Sequence, residues 1–75
     1  AREVIEAYKE RKRKSLVQLF TAARYRQPQI LADEVFLLFE GARINLQCGG
    51  KIPVARVVSM LRDLLARAPK KQRAL

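Results

Sequence analysis

The sequence contains no histidine and no tryptophan, and its one cysteine is Cys48. A lone cysteine cannot close an intrachain disulfide, so the chain is not a secreted disulfide scaffold. Without histidine or further cysteines, no group of side chains has the ligand spacing of a structural zinc site. Nucleophilic catalysis likewise has no support, because the sequence has no histidine to act as the general base. We therefore expect a protein that is not an enzyme and that uses no metal or other cofactor.

Long apolar runs are also absent. No stretch approaches the ~18 apolar residues of a membrane-spanning helix, and the N-terminal residues are charged rather than signal-like. These absences predict a cytoplasmic protein that does not contact a membrane.

Small size limits the core that the chain can build. Its 75 residues are 49% apolar but include only two tyrosines and three phenylalanines. A single core in so short a chain rarely contributes more than ~3–5 kcal/mol of stability. We therefore expect the aliphatic side chains to pack against a second subunit or against further parts of a longer protein. On this interpretation residues 1–75 are one partial domain.

The net charge of +9 is unevenly distributed. Residues 1–26 carry eight basic and three acidic side chains, and residues 49–75 carry seven basic and one acidic. The segment between them, 27–48, carries one basic and three acidic side chains. A near-neutral apolar centre thus lies between two basic flanks, which would attract polyanions at long range.

Two helices are predicted in the first two thirds of the chain. Residues 1–25 lack glycine and proline, and their apolar side chains recur at intervals of three and four. A second helix is expected over 28–48, because Pro28 suits a first helical position and Gly49-Gly50 provides a helix end.

A third helix is predicted over residues 53–68, from Pro53 to the residue before Pro69. Residues 69–75 are expected to form a flexible basic tail. The short connection makes helices two and three antiparallel neighbours. The fold class is therefore all-α with three helices, of which the last two form an antiparallel pair.

Helix two is apolar on more than one side. One stripe consists of Leu31, Val35, Leu38 and Ala42, and the next consists of Ile30, Leu37, Gly41 and Ile44. A helix with so wide an apolar surface must be covered on at least two sides. A glycine within a helix costs about 1 kcal/mol relative to alanine, and the close approach of another helix would compensate for Gly41.

Residues 29–42, QILADEVFLLFEGA, resemble a signature of the TetR family of bacterial transcriptional regulators. In that family the penultimate helix of the C-terminal domain often has the pattern LADxLxxLxEGA, and a last helix rich in valine, leucine and alanine follows it. The resemblance extends over most of the chain but is specific only from Leu31 to Ala42.

The resemblance implies that the chain is the C-terminal dimerisation and effector-responsive part of such a regulator. Its last two helices would form an intersubunit four-helix bundle in a homodimer. The family's helix-turn-helix has no counterpart here, so this chain should not bind DNA directly. In the parent protein, a small apolar effector would bind near this region.

Eight residues are predicted to form the dimer interface, although the two stripes of helix two compete for this role. They are Leu31, Val35, Leu38, Gly41, Ala42, Val58, Leu61 and Leu65. Four aromatic residues, which could equally be core residues, are candidates for an effector pocket: Tyr8, Phe20, Phe36 and Phe39.

An alternative function follows from the basic run Lys9–Lys14. Lysine and arginine on one helix can neutralise phosphates, so the chain could instead be a free-standing basic module for nucleic acid or an acidic protein partner. The run has no interleaved aromatic residues and no base-reading motif, and a solvated face explains it equally well. Salt-dependent binding to random duplex DNA would distinguish the two functions.

Overall fold

The computed structural model describes residues 2–71, with side chains from residue 3 onwards. It contains α1 (Arg2–Ala22), α2 (Pro28–Gln47) and α3 (Val54–Arg67), and the described residues form no strand. The predicted all-α fold with three helices is confirmed. Residue 1 of the first predicted helix and residues 72–75 of the predicted tail lie outside the described part of the chain.

Helix α1 ends three residues earlier than predicted because the chain turns at Arg24. Its φ of 69° places this residue in the left-handed region. The Tyr25 amide donates to the Phe20 carbonyl (3.1 Å), and the Arg24 amide donates to that of Thr21 (3.0 Å). This pair of hydrogen bonds is the Schellman motif, which usually has glycine where Arg24 stands.

Helix α2 ends by the same motif, here with glycine. Gly49 has a φ of +68°, and the Gly50 amide donates to the Asn45 carbonyl at 2.6 Å. The Asn45 side chain also donates to the carbonyl of Ile52 (2.8 Å), so it holds the connection to α3. Both ends of α2 therefore lie within one residue of their predicted positions.

The core is small and lies at one end of the molecule. Phe20 and Tyr25 meet edge to face at 5.6 Å between ring centroids, and they cover the buried residues Leu31, Ala32 and Val35. The Tyr25 hydroxyl donates to the carbonyl of Leu65 in α3 (3.3 Å). Six partly buried residues complete this core: Leu16, Val17, Leu61, Leu64, Leu65 and Ala68.

The segment after α3 pairs with the junction between α1 and α2. The Arg26 amide donates to the Pro69 carbonyl (2.9 Å), and the Lys71 amide donates to the Arg24 carbonyl (2.7 Å). The Lys70 ammonium also lies 4.9 Å from the centroid of the Tyr25 ring. The first residues of the predicted tail are thus hydrogen-bonded to the body of the protein.

The three helices form a single layer with α2 in the middle. Helices α1 and α3 each pack against α2 but do not approach each other. The Cα atoms extend over 49 × 31 × 12 Å, and their radius of gyration is 14.4 Å. A globular chain of this length would have a radius of about 11 Å. Most domains contain at least two packed layers, whereas the described part of this chain forms only one.

None of the described helices combines the length and the apolar character that crossing a membrane requires.

Candidate interaction surfaces

Helix α2 has α1 on one side and α3 on the opposite side. Asp33 and Glu40 bind side chains of α1, whereas Leu38 and Ala42 line a groove with Val57 and Met60 of α3. Because a helix turns by about 100° per residue, this arrangement leaves two broad faces of α2 free. We name face A after its residues Ile30, Leu37, Gly41 and Ile44 of α2 with Met60 of α3. Face B comprises Phe36 and Phe39 of α2 with Ile5, Tyr8 and Leu19 of α1.

Face A is an exposed apolar surface. The side chains of Ile30, Leu37 and Ile44 are 53%, 68% and 53% exposed, and Met60 is also exposed. A shallow groove runs along this face between α2 and α3. Its walls consist of Leu37, Leu38, Gly41, Ala42, Asn45, Ile52, Val57 and Met60.

Gly41 lies within this groove and faces open space. Apart from its two chain neighbours and the nearby backbone of α2, a Cβ atom built on Gly41 would meet no atom within 4 Å. The chain's own described structure therefore gives no packing reason for a glycine in the middle of α2, where alanine would favour the helix by about 1 kcal/mol. A second helix packed closely against face A would supply such a reason.

The eight predicted interface residues lie in three different environments. Leu31 and Val35 are only 3% and 2% exposed, so they stabilise the chain's own core and are not free to contact a partner. Leu38, Ala42, Leu61 and Leu65 are half-buried, whereas Gly41 and Val58 are exposed. Of the two competing stripes on α2, the one containing Leu37 and Gly41 points to solvent.

Face B contains a groove between α1 and α2. Phe39 follows Leu37 by two residues and so lies on nearly the opposite side of α2. The groove encloses about 630 Å³ and is lined by Tyr8, Arg11, Lys12, Ser15, Leu16, Leu19, Phe36, Phe39 and Glu40. Its volume is typical of sites for small molecules, but it is open to solvent along its length.

Three of the four predicted pocket residues meet in this groove. Tyr8 contributes from α1, and Phe36 and Phe39 contribute from α2. Phe20 lies elsewhere, buried against Tyr25 in the core. The basic residues Arg11 and Lys12 also line the groove, although the sequence pattern alone assigned them only to a charged run.

Ion pairs with α2 neutralise part of the basic run on α1. The Lys9 ammonium lies 3.1 Å from a carboxylate oxygen of Glu40, and Arg13 binds Asp33 at 2.5 Å. Arg43 also binds Glu40 (3.1 Å), and hydrogen bonds from Lys9 and then Arg43 lower the pKa of Glu40 below its ordinary value. Glu40 is thus ionised at neutral pH, and two cations balance its charge.

Arg11 and Lys12 keep their positive charges uncompensated. Within the described residues neither side chain has an acidic partner. The Lys12 ammonium instead lies 5.1 Å from the centroid of the Tyr8 ring, at cation–π distance. Face B therefore combines an apolar floor with a positively charged rim.

Other chemistry finds no support in the described part of the chain. No three metal-binding side chains lie close enough together to hold an ion. Cys48 is exposed at the end of α2, and its thiol is free.

Comparisons with protein-family models, with curated proteins and with solved structures find no match to this chain. Its function must therefore be argued from the two faces themselves.

Proposed function

We propose that the protein is a self-association module in which two copies pair through face A. Helices α2 and α3 of each copy would then form a four-helix bundle. The observation that carries this proposal is the exposure of Ile30, Leu37 and Ile44 along one line of α2. These residues recur every two turns, so a second copy of the same helix could cover all of them at once.

The surface area of the chain is consistent with such a pair. Its accessible surface is 6294 Å², whereas a globular monomer of 8.6 kDa would expose about 4,700 Å². A stable protein–protein interface covers roughly 800 Å² of each partner. The excess surface of this single layer is therefore large enough to supply an interface of ordinary size.

The resemblance of residues 29–42 supports a more specific form of the proposal. In this form the module is the dimerisation end of a TetR-like transcriptional regulator, whose DNA-binding part would lie outside these residues. An antiparallel α2–α3 pair with one exposed apolar face is the arrangement that such a dimer requires. This assignment rests on the sequence pattern alone.

The mass of the protein in solution tests the pairing directly. We expect light scattering on a sizing column to give a dimer whose population grows from micromolar to millimolar concentration. Leu37→Glu should give a folded monomer, because it places charge at the centre of face A. The matched control is Leu19→Glu, which puts the same charge at another exposed apolar position, on face B, and should leave the dimer intact.

Gly41→Ala distinguishes close helix packing at Gly41 from non-specific hydrophobic association. In an isolated chain this change should raise helix stability by about 1 kcal/mol, since the Cβ enters open space. In a pair that packs closely at Gly41 it should instead weaken association. A wild-type protein that stays monomeric at millimolar concentration would contradict the proposal.

Binding of nucleic acid remains a second prediction. In the structure, fewer residues of the basic run are available to contact phosphates than the sequence indicates. Lys9 and Arg13 are already engaged by carboxylates, which leaves Arg11, Lys12 and Lys14 of the basic run for phosphates. Tight, strongly salt-dependent binding to random duplex DNA would favour this function over self-association.

A further inference from the structure

Face B is an elongated apolar strip rather than a compact cavity. On α1, Ile5, Tyr8 and Leu19 share one side of the helix and are about half exposed or more. Fourteen residues separate Ile5 from Leu19, which corresponds to about 21 Å along the helix axis. Phe36 and Phe39 of α2 form the facing wall of the groove. A strip of this length matches about four turns of another helix.

The charges along this strip are positive. Arg11 and Lys12 line the groove without an acidic partner among the described residues. The one carboxylate in the groove is that of Glu40, and Lys9 and Arg43 neutralise it. An occupant that brings carboxylates to the rim would therefore meet complementary charge, whereas a basic occupant would be repelled.

We propose that face B binds an amphipathic helix with acidic residues, contributed by a different protein. Its apolar side would lie on Tyr8, Leu19 and Phe39, and its carboxylates would pair with Arg11 and Lys12. Binding of a helix in a groove between two helices is a recurrent mode of peptide recognition. A small ligand would leave Ile5 uncovered, and a duplex would make no use of the apolar floor. Face B lies opposite face A, so this inference does not depend on self-association.

Two synthetic peptides test the proposal with the full chain. Both are helical and carry leucine along one side; the first has glutamate on its other sides, and its twin has lysine instead. We expect fluorescence anisotropy to show binding of the glutamate peptide that weakens with added salt. The lysine twin should bind at least about tenfold more weakly.

Charge reversal locates the site. The double variant Arg11→Glu/Lys12→Glu should lose the glutamate peptide and gain the lysine twin. Its matched control is Arg56→Glu/Arg62→Glu, which changes the net charge equally on α3 and should alter glutamate-peptide binding by no more than about twofold. Phe39→Ala should weaken that peptide about tenfold through the loss of an aromatic contact, and circular dichroism would verify that each variant is folded.

Several results would overturn the proposal. One is equal binding of the two peptides, and another is binding that Arg11→Glu/Lys12→Glu leaves unchanged. Competition by dodecanoate, duplex DNA or phosphatidylglycerol vesicles at lower concentrations than the peptide would assign face B to a different occupant. Leu37→Glu, which removes only face A, should retain the peptide. Loss of self-association and loss of peptide binding are thus distinguishable.

Discussion

At the scale of single residues, Arg24 occupies an unusual backbone conformation. Its positive φ closes α1 by the motif that closes α2 at Gly49. Residues other than glycine pay roughly 1–2 kcal/mol in the left-handed region. The turn at Arg24 nevertheless positions the next residue, Tyr25, so that its ring covers the core.

We expect Arg24→Gly to be more stable than Arg24→Ala by about 1 kcal/mol, because only glycine adopts this φ without strain. Both changes remove the same side-chain interactions, so the comparison isolates the backbone. For a domain of this size the difference corresponds to about 4–8 °C in Tm. Thermal denaturation followed by circular dichroism would measure it, and equal Tm values would show that the turn carries no strain.

At the scale of elements, α3 is the least anchored of the three helices. It contributes no buried residue, and it packs less extensively against α2 than α1 does. One of its ties to the core is the hydrogen bond from the Tyr25 hydroxyl to the Leu65 carbonyl. Elements with few buried contacts open first under native conditions.

We therefore expect the amides of α3 to exchange with deuterium before those of α2. Tyr25→Phe removes the hydroxyl at a cost of about 1 kcal/mol, so exchange in α3 should accelerate several-fold while the middle of α1 keeps its rate. Hydrogen-exchange mass spectrometry resolves the three helices. Uniform acceleration over all of them would indicate a single cooperative unit instead.

The sequence predicted the helices well where proline and glycine mark their ends. Pro28 and Gly49 placed α2 to within one residue, whereas no such residue marks the end of α1 at Ala22. The periodicity of α2 revealed two apolar stripes but could not rank them. Which stripe is buried depends on Tyr25, which lies between α1 and α2 and packs with Leu31 in the core. This contact is a result of tertiary packing, which the periodicity of α2 does not reveal.

The candidate sites were predictable to a similar degree. Aromatic side chains and the resemblance of residues 29–42 made Tyr8, Phe36 and Phe39 pocket candidates, and the structure joins them in one groove. Phe20 has the same chemistry but packs into the core. Whether an aromatic residue of α1 lines the groove, as Tyr8 does, or packs in the core, as Phe20 does, depends on which side of α1 faces Tyr25. The local sequence pattern does not contain this information.

At the scale of the whole molecule, the described helices form one layer with apolar side chains exposed on both of its faces. If two copies pair, the folded state gains stability by mass action. We expect Tm to rise with protein concentration for the wild type and to be independent of concentration for Leu37→Glu. Differential scanning calorimetry at several concentrations would show this, and a constant Tm for the wild type would mean that the monomer is the stable unit.

The opposite orientation of the two faces has a consequence for valency. A pair closed through face A would carry one face B groove on each of its outer surfaces. Such a dimer would be a bivalent receptor, able to hold two helices at once or to bridge two partner molecules. When two acidic helices are joined by a linker long enough to reach around the pair, their avidity would exceed the single-site affinity by roughly 10²–10⁴-fold. Face B would then bind a partner with one acidic helix weakly, whereas the dimer would bind or cross-link a partner with two such helices strongly.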